Sequence, residues 1–227
     1  MKKAIVASLA ITGLVFSGGV VEAGTTIAPL TSVPTSLGVY AMTPFGTDSN
    51  PSYSTSYLDV NSVSAPGGGS LTFDQALTHD IAGDLNTGWA TWSQGYTGDV
   101  YDTIGSTDPY SVTLTLPGGT HAFYLFAEPA AFNTVGGYEI SATADGTTLI
   151  QLINGNGGAL GFGFYNGAGL TSITISSGVA TDFAIGEFGI SNTVPDTSTI
   201  FADVLLLLPM GMHGFRCLRN RKQNCAN

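Results

Sequence analysis

Residues 111–116 alternate strictly, with Val112, Leu114 and Leu116 on one side and Ser111, Thr113 and Thr115 on the other. A period of two is that of a half-buried strand, and Pro117-Gly118-Gly119 follows as a turn into an expected hairpin partner over 121–127. Residues 138–144 set Tyr138, Ile140 and Ala142 against Glu139, Ser141 and Thr143, and Asp145-Gly146 then supplies a hairpin dipeptide leading into 147–153. Further strands are expected over 160–165, 170–176 and 182–191, with less regular ones near 37–42 and 57–63. No stretch keeps a 3.6-residue apolar period with caps, so helices should be few. Short strands separated by Gly-, Asn- and Ser-rich turns predict an all-β fold, a single β-sandwich or jelly-roll-like domain.

Two longer apolar runs break this pattern, one at each end. Residues 4–21 carry no charge and follow Met1-Lys2-Lys3, the order of a signal peptide. Val21-Glu22-Ala23 places small residues where a signal peptidase accepts them, so cleavage is expected before Gly24. Residues 200–215 are mostly apolar and precede Arg216, Arg219, Arg221 and Lys222, a basic stop of the kind retained on the cytoplasmic side. This run is shorter than the ~20 residues a spanning helix needs. It also contains Asp203, Pro209 and His213, so it reads as a transient stop rather than a permanent anchor. The expected organisation is a signal peptide over 1–23, an exported β-domain over 24–191, and a sorting segment with a basic tail over 192–227. The two ends are expected as an N-terminal signal helix and a C-terminal apolar helix.

Just ahead of the second run stands Val194-Pro195-Asp196-Thr197-Ser198-Thr199. This motif, an apolar stretch and an Arg-rich end, in that order, resemble a PEP-CTERM sorting signal of the Val-Pro-Asp kind. The resemblance implies that Val194, Pro195, Asp196 and Thr197 are read by exosortase, a membrane-embedded cysteine protease-transpeptidase. It implies in turn a passenger held transiently in the inner membrane of a Gram-negative bacterium, then delivered to the cell surface or the exopolysaccharide matrix. Residues 70–191 are also similar, through 88–101, 123–129 and 182–190, to a passenger domain recurrent among PEP-CTERM proteins. Its lectin-like sandwich architecture brings no defined activity with it.

Charge narrows the partners. All six Lys and Arg residues lie in the end segments, so residues 24–195 contain no fixed cation. Of the sixteen Asp and Glu residues, only Glu22, Asp196 and Asp203 lie outside that stretch. Such a domain cannot neutralise phosphates, which excludes nucleic acid as a partner. Both cysteines, Cys217 and Cys225, sit in the basic tail, leaving the exported domain without a disulfide. Acidic groups can decorate the surface, or some can converge on structural calcium, with Asp80, Asp84, Asp99 and Asp102 as candidate ligands. Asp108, Glu128 and Glu187, the last two ending or interrupting expected strands, are further carboxylates for a site at the sandwich edge. The spacing of Asp80 and Asp84 fits no EF-hand loop.

Residues 88–101 gather both tryptophans, two tyrosines and Asp99. Aromatic faces beside carboxylates suit a sugar, which makes Trp89, Trp92, Tyr96 and Tyr101 the candidate glycan-binding residues, with exopolysaccharide as the partner. The alternative is that Trp89 or Trp92 fills the core. Three apart on a regular strand, the two would point to opposite faces. His79 and His121 are the histidines between the end segments, and neither sits in a His-Glu-x-x-His motif; Gly-x-Ser-x-Gly is also missing. The glycine-rich stretch 154–169 has no Gly-Lys-Ser/Thr and reads as turns around one short strand. The leading expectation is a non-enzymatic exported surface or matrix protein. A carbohydrate-binding module comes second, and an enzyme acting on polysaccharide through two carboxylates third.

Overall fold

A computed structural model describes residues 24–50, 52, 59–83, 89–104, 106–130, 136–156, 158–178 and 181–193. The expected signal and sorting segments, including Val194, Pro195, Asp196, Thr197 and the basic residues Arg216, Arg219, Arg221 and Lys222, lie outside the described residues, as do the two expected terminal helices. Every regular element among the described residues is a strand. In chain order they are β1 (Thr26–Leu30), β2 (Ser36–Leu37), β3 (Tyr40–Ala41), β4 (Thr43–Pro44), β5 (Asp59–Ser64), β6 (Ser70–Ile81) and β7 (Asp99–Asp102). They continue as β8 (Ser111–Thr115), β9 (Ala122–Pro129), β10 (Tyr138–Ala144), β11 (Thr147–Ile153), β12 (Leu160–Tyr165), β13 (Ser172–Ser177) and β14 (Phe183–Ser191). The all-β class is therefore as the alternation predicts.

Strand β6 organises the sheet. It pairs with β5 on one side; on the other, residues 78–81 pair with β7 while Thr72 and Phe73 pair with β8. From β7 one wing runs through β14, β9 and β12 to β1, and from β8 a second runs through β13 and β10 to β11. All these pairings are antiparallel. The far edges then meet: Gln151 Nε2 on β11 donates to the Gly161 carbonyl on β12 at 2.8 Å, and the Thr25 hydroxyl donates to Asp145 in the β10–β11 turn. The result is one continuous sheet nearly closed into a barrel. At that turn Asp145 and Gly146 have φ of 48° and 77°, both positive as a type I′ hairpin requires.

The expected hairpin of 111–116 with 121–127 does not form. Strand β8 pairs with β6 and β13, while β9 lies between β12 and β14 in the other wing, so Pro117-Gly118-Gly119 carries the chain from one wing to the other. Alternation made both segments strands; it held no information about which neighbour each would take.

The inner faces of the two wings share one core. Phe123, Leu125, Phe162, Phe164, Phe183 and Ile185 from the first meet Val112, Leu114, Ile140, Ile173 and Ile175 from the second, all fully buried. The first wing is covered on its outer face as well. Leu30, Leu37, Tyr40, Met42 and Trp92 pack over Ala122, Tyr124 and Phe126, which is why β9 reads as a nearly continuous apolar run. Glycine makes room for this cover. A Cβ on Gly163 would lie 2.7 Å from Leu37 Cδ2, and one on Gly161 2.8 Å from Leu30 Cβ. These two glycines lie in the one short strand expected within the 154–169 stretch.

The closest approach is at Gly189 on β14, where an added Cβ would lie 2.1 Å from Cε1 of the buried Tyr124 ring. Gly189→Ala should cost about 1–3 kcal/mol in urea unfolding, the usual penalty of overpacking. Gly118→Ala, with open space around it, should change stability by less than ~0.5 kcal/mol.

Candidate functional site

Segment 89–98 lies across the outer face of the first wing. Ala82, Val100 and Ala184 form a bed of small side chains there, and Trp89, Trp92 and Tyr96 pack on it, each half-buried. Trp89 is anchored by a bridge to Ala82, with its N–H on the Ile81 carbonyl at 3.1 Å and its carbonyl accepting the Gly83 N–H at 2.8 Å. Beyond that point the chain leaves extended geometry and turns at 93–95. Both indoles therefore reach the same side of the sheet, whereas a regular strand would have separated them.

Each indole holds a carboxylate. Trp89 Nε1 donates to Glu128 Oε2 at 3.1 Å, and Thr91 Oγ1 to Glu128 Oε1 at 2.6 Å. Trp92 Nε1 and Ser93 Oγ both donate to Glu187 Oε2, each at 3.1 Å. Burial pushes the Glu128 carboxyl above the usual glutamate range, while Thr91, Trp89 and the Gly158 N–H pull it back. Burial likewise raises Glu187 against the pull of Trp92 and Ser93. The domain has no Lys or Arg to neutralise either group, so neutral donors must stabilise the charge.

Glu187 sits in a β-bulge. Gly186 pairs with Phe126 and Gly189 with Tyr124, so Glu187 and Phe188 together oppose the single residue Leu125. Phe188 turns into the core, and Glu187 takes φ 51°, a left-handed backbone uncommon for a side-chain-bearing residue. Beside the bulge is a cavity of about 220 Å³, lined by Glu187, Tyr96, Tyr124, Asp99 and Tyr101 with apolar walls from Val33, Pro44, Phe45, Val63 and Phe188. Tyr96 Oη donates to the Asp99 carbonyl at 3.2 Å and accepts the Glu187 N–H. Burial, then the charges of Asp99 and Glu187, push the Tyr96 phenol far above its ordinary value. Burial followed by the Glu187 charge lifts Tyr124 to about 12.

The predicted residues separate into different surroundings. Tyr101 lies in the core wall, stacked on His79 at 5.2 Å and on Phe188 at 5.6 Å, so both ring faces are covered. Its hydroxyl donates to Asp48 Oδ2 at 2.8 Å. Asp99 is engaged through both oxygens, with His79 Nε2 at 2.8 Å and the Asp48 N–H at 2.8 Å. Asp80 and Asp102 lie on the opposite face of β6 and β7 from Asp99, because Thr78 pairs with Asp102 while Ile81 pairs with Asp99. The candidate calcium ligands are thus split across the sheet, and Asp84 lies outside the described residues. Among the described residues no three His, Cys, Asp or Glu side chains converge on a metal position. Tyr124 and Asp48 complete the site without any signal in the sequence, whereas Glu128 and Glu187, expected as possible cation ligands, are instead held by the two indoles. The available signal was a glutamate interrupting an apolar strand in a domain without cations.

Asp102 is buried beside Asp182 and Asp80. Burial raises its carboxyl to about 7, against the pull of the Ile104 N–H at 2.7 Å, with the two neighbouring carboxylates raising it further. A folded-state value above the unfolded one means that the folded chain holds this proton more tightly. The stabilisation is full below about pH 4 and is lost as pH rises through about 7. Asp102→Asn should flatten that decline in a pH series of urea midpoints and be the more stable form at pH 8 by at least ~1 kcal/mol. Trp89→Phe should cost about 1–3 kcal/mol by taking a donor from enclosed Glu128, and Glu128→Gln in the same background should recover part of that loss.

Comparison with known proteins finds no family model, no curated protein and no solved structure that matches this chain.

Proposed function

We propose that the chain is an exported, non-enzymatic protein of the cell surface or extracellular matrix, carried there by signal peptidase and exosortase acting on its two end segments. The observation that carries this reading is the order of the chain: a charged-then-apolar start, a domain free of Lys and Arg, then Val194-Pro195-Asp196-Thr197, an apolar run and a basic stop. Every described strand falls between these ends, from Thr26 to Ser191, which supports one passenger domain. Two facing wings around a shared core support a β-sandwich of the lectin-like passenger kind.

The carboxylates speak against hydrolysis. Glu128 is fully enclosed beneath Trp89 and Thr91, and both oxygens of Asp99 are already engaged. A glycosidase needs two carboxyl groups facing substrate across an open cleft. One observation favours carbohydrate binding as a second reading: the cavity beside the bulge combines aromatic walls with a carboxylate, which are the elements of a small sugar pocket. In that reading Trp89 and Trp92 are supports of the site rather than its stacking platform, since their N–H groups are committed to Glu128 and Glu187.

Fractionating cells with and without exosortase tests the export reading. The full-length chain should remain in the inner membrane when exosortase is missing, and a shortened form should reach the surface or medium when it is present. Pro195→Ala with Asp196→Ala should reproduce the retention in cells that have the enzyme. Identical distribution in all three strains would contradict the proposal.

A further inference from the structure

The cavity at the β14 bulge has a charge pattern that selects among ligands. Its walls contain two carboxylates and no cation, and residues 24–195 supply neither Lys nor Arg from elsewhere. An anion entering it would meet only like charge. The two carboxylates are not equivalent. Asp99 is satisfied by His79 and the Asp48 N–H, whereas both side-chain donors to Glu187 converge on Oε2. No described residue donates to Oε1, the oxygen left to bind a ligand. Tyr124 lines the same cavity, and no described residue hydrogen-bonds its hydroxyl.

The backbone is shaped to present this glutamate. The bulge inserts one extra residue into β14, and the left-handed conformation of Glu187 separates its side chain from that of Phe188, which anchors in the core. Such conformations are strained and persist where surrounding structure enforces them. Here the enforcement comes from Trp92 and Ser93 on the carboxylate and from Tyr96 Oη on the backbone N–H. A carboxylate held this way, without a cation, beside aromatic rings is a complete receptor for an ammonium group.

Size sets the rest of the ligand. About 220 Å³ is below the ~300–1,000 Å³ of drug-sized sites and suits a single ring. The geometry points to a pocket for one sugar ring bearing a protonated amine, with the ammonium on Glu187 Oε1 and a ring hydroxyl on Tyr124 Oη. The inference rests on the carbohydrate-binding reading and narrows it to amino sugars with a free amine.

Calorimetric titration of the full-length chain in mild detergent with glucosamine, glucose and N-acetylglucosamine tests it, at a pH where the amine is protonated. Glucosamine should bind at least ~10-fold more tightly than the two neutral sugars, equivalent to ~1.4 kcal/mol. Glu187→Gln should abolish that preference, while Tyr124→Phe should weaken glucosamine and leave the preference for it in place. Circular dichroism on each variant identifies any loss caused by unfolding, and a folded Tyr124→Phe protein keeps the test decisive if Glu187→Gln does not fold. Equal affinities for the three sugars, or a preference that survives Glu187→Gln, would overturn the amine assignment while leaving carbohydrate binding in place. Failure of all three sugars and of extracted exopolysaccharide to bind would overturn both.

Discussion

A carboxylate taken out of water needs either a countercharge or several hydrogen-bond donors, and this domain has no Lys or Arg to offer. That constraint organises the outer face of the first wing. Glu128 and Glu187 are each met by an indole N–H and a neighbouring hydroxyl, all four donors coming from residues 89–93. Segment 89–98 therefore has two tasks. It covers Ala82 just after β6, Val100 of β7 and Ala184 of β14, and it supplies the side-chain donors to two carboxylates.

The bulge at Glu187 connects this face to the core. One extra residue lets Phe188 pack against Phe123 and stack on Tyr101, while Glu187 keeps its hold on Trp92. Tyr101 in turn reaches Asp48, and Asp48 reaches Asp99. The aromatic core and the polar rim of the cavity are thus one connected structure. The Phe45 N–H on the Phe188 carbonyl at 2.9 Å ties the chain after β4 to the same point.

Much of the fold was legible in the sequence. Seven strands from β8 to β14 follow from alternation and turn residues, and the Asp145-Gly146 hairpin formed as its dipeptide requires. Pairing was not legible where it depended on distant chain, as with β8 and β9, because a period of two identifies a strand and not its neighbour. The long β6 was missed for a related reason: Thr78, His79, Asp80 and Ile81 do not alternate in polarity, since both faces of that half-strand are covered. Residues 88–101 read as dense in aromatic and acidic groups, yet the surroundings of Trp89 and Trp92 depended on the turn at 93–95, which brought both to one side. Glu187 was legible only as a glutamate interrupting an apolar strand, because its place in the site comes from a bulge and from Trp92, 95 residues away in the chain.

The central claim, that two indoles hold two carboxylates for which the domain has no cation, is most directly tested by a pH titration followed by NMR on the indole N–H protons and the glutamate carboxyl carbons. Trp89 should titrate with Glu128 and Trp92 with Glu187, both at pH values above the ordinary glutamate value of 4.5. Indole signals that stay constant while both glutamates titrate at the ordinary value would contradict it.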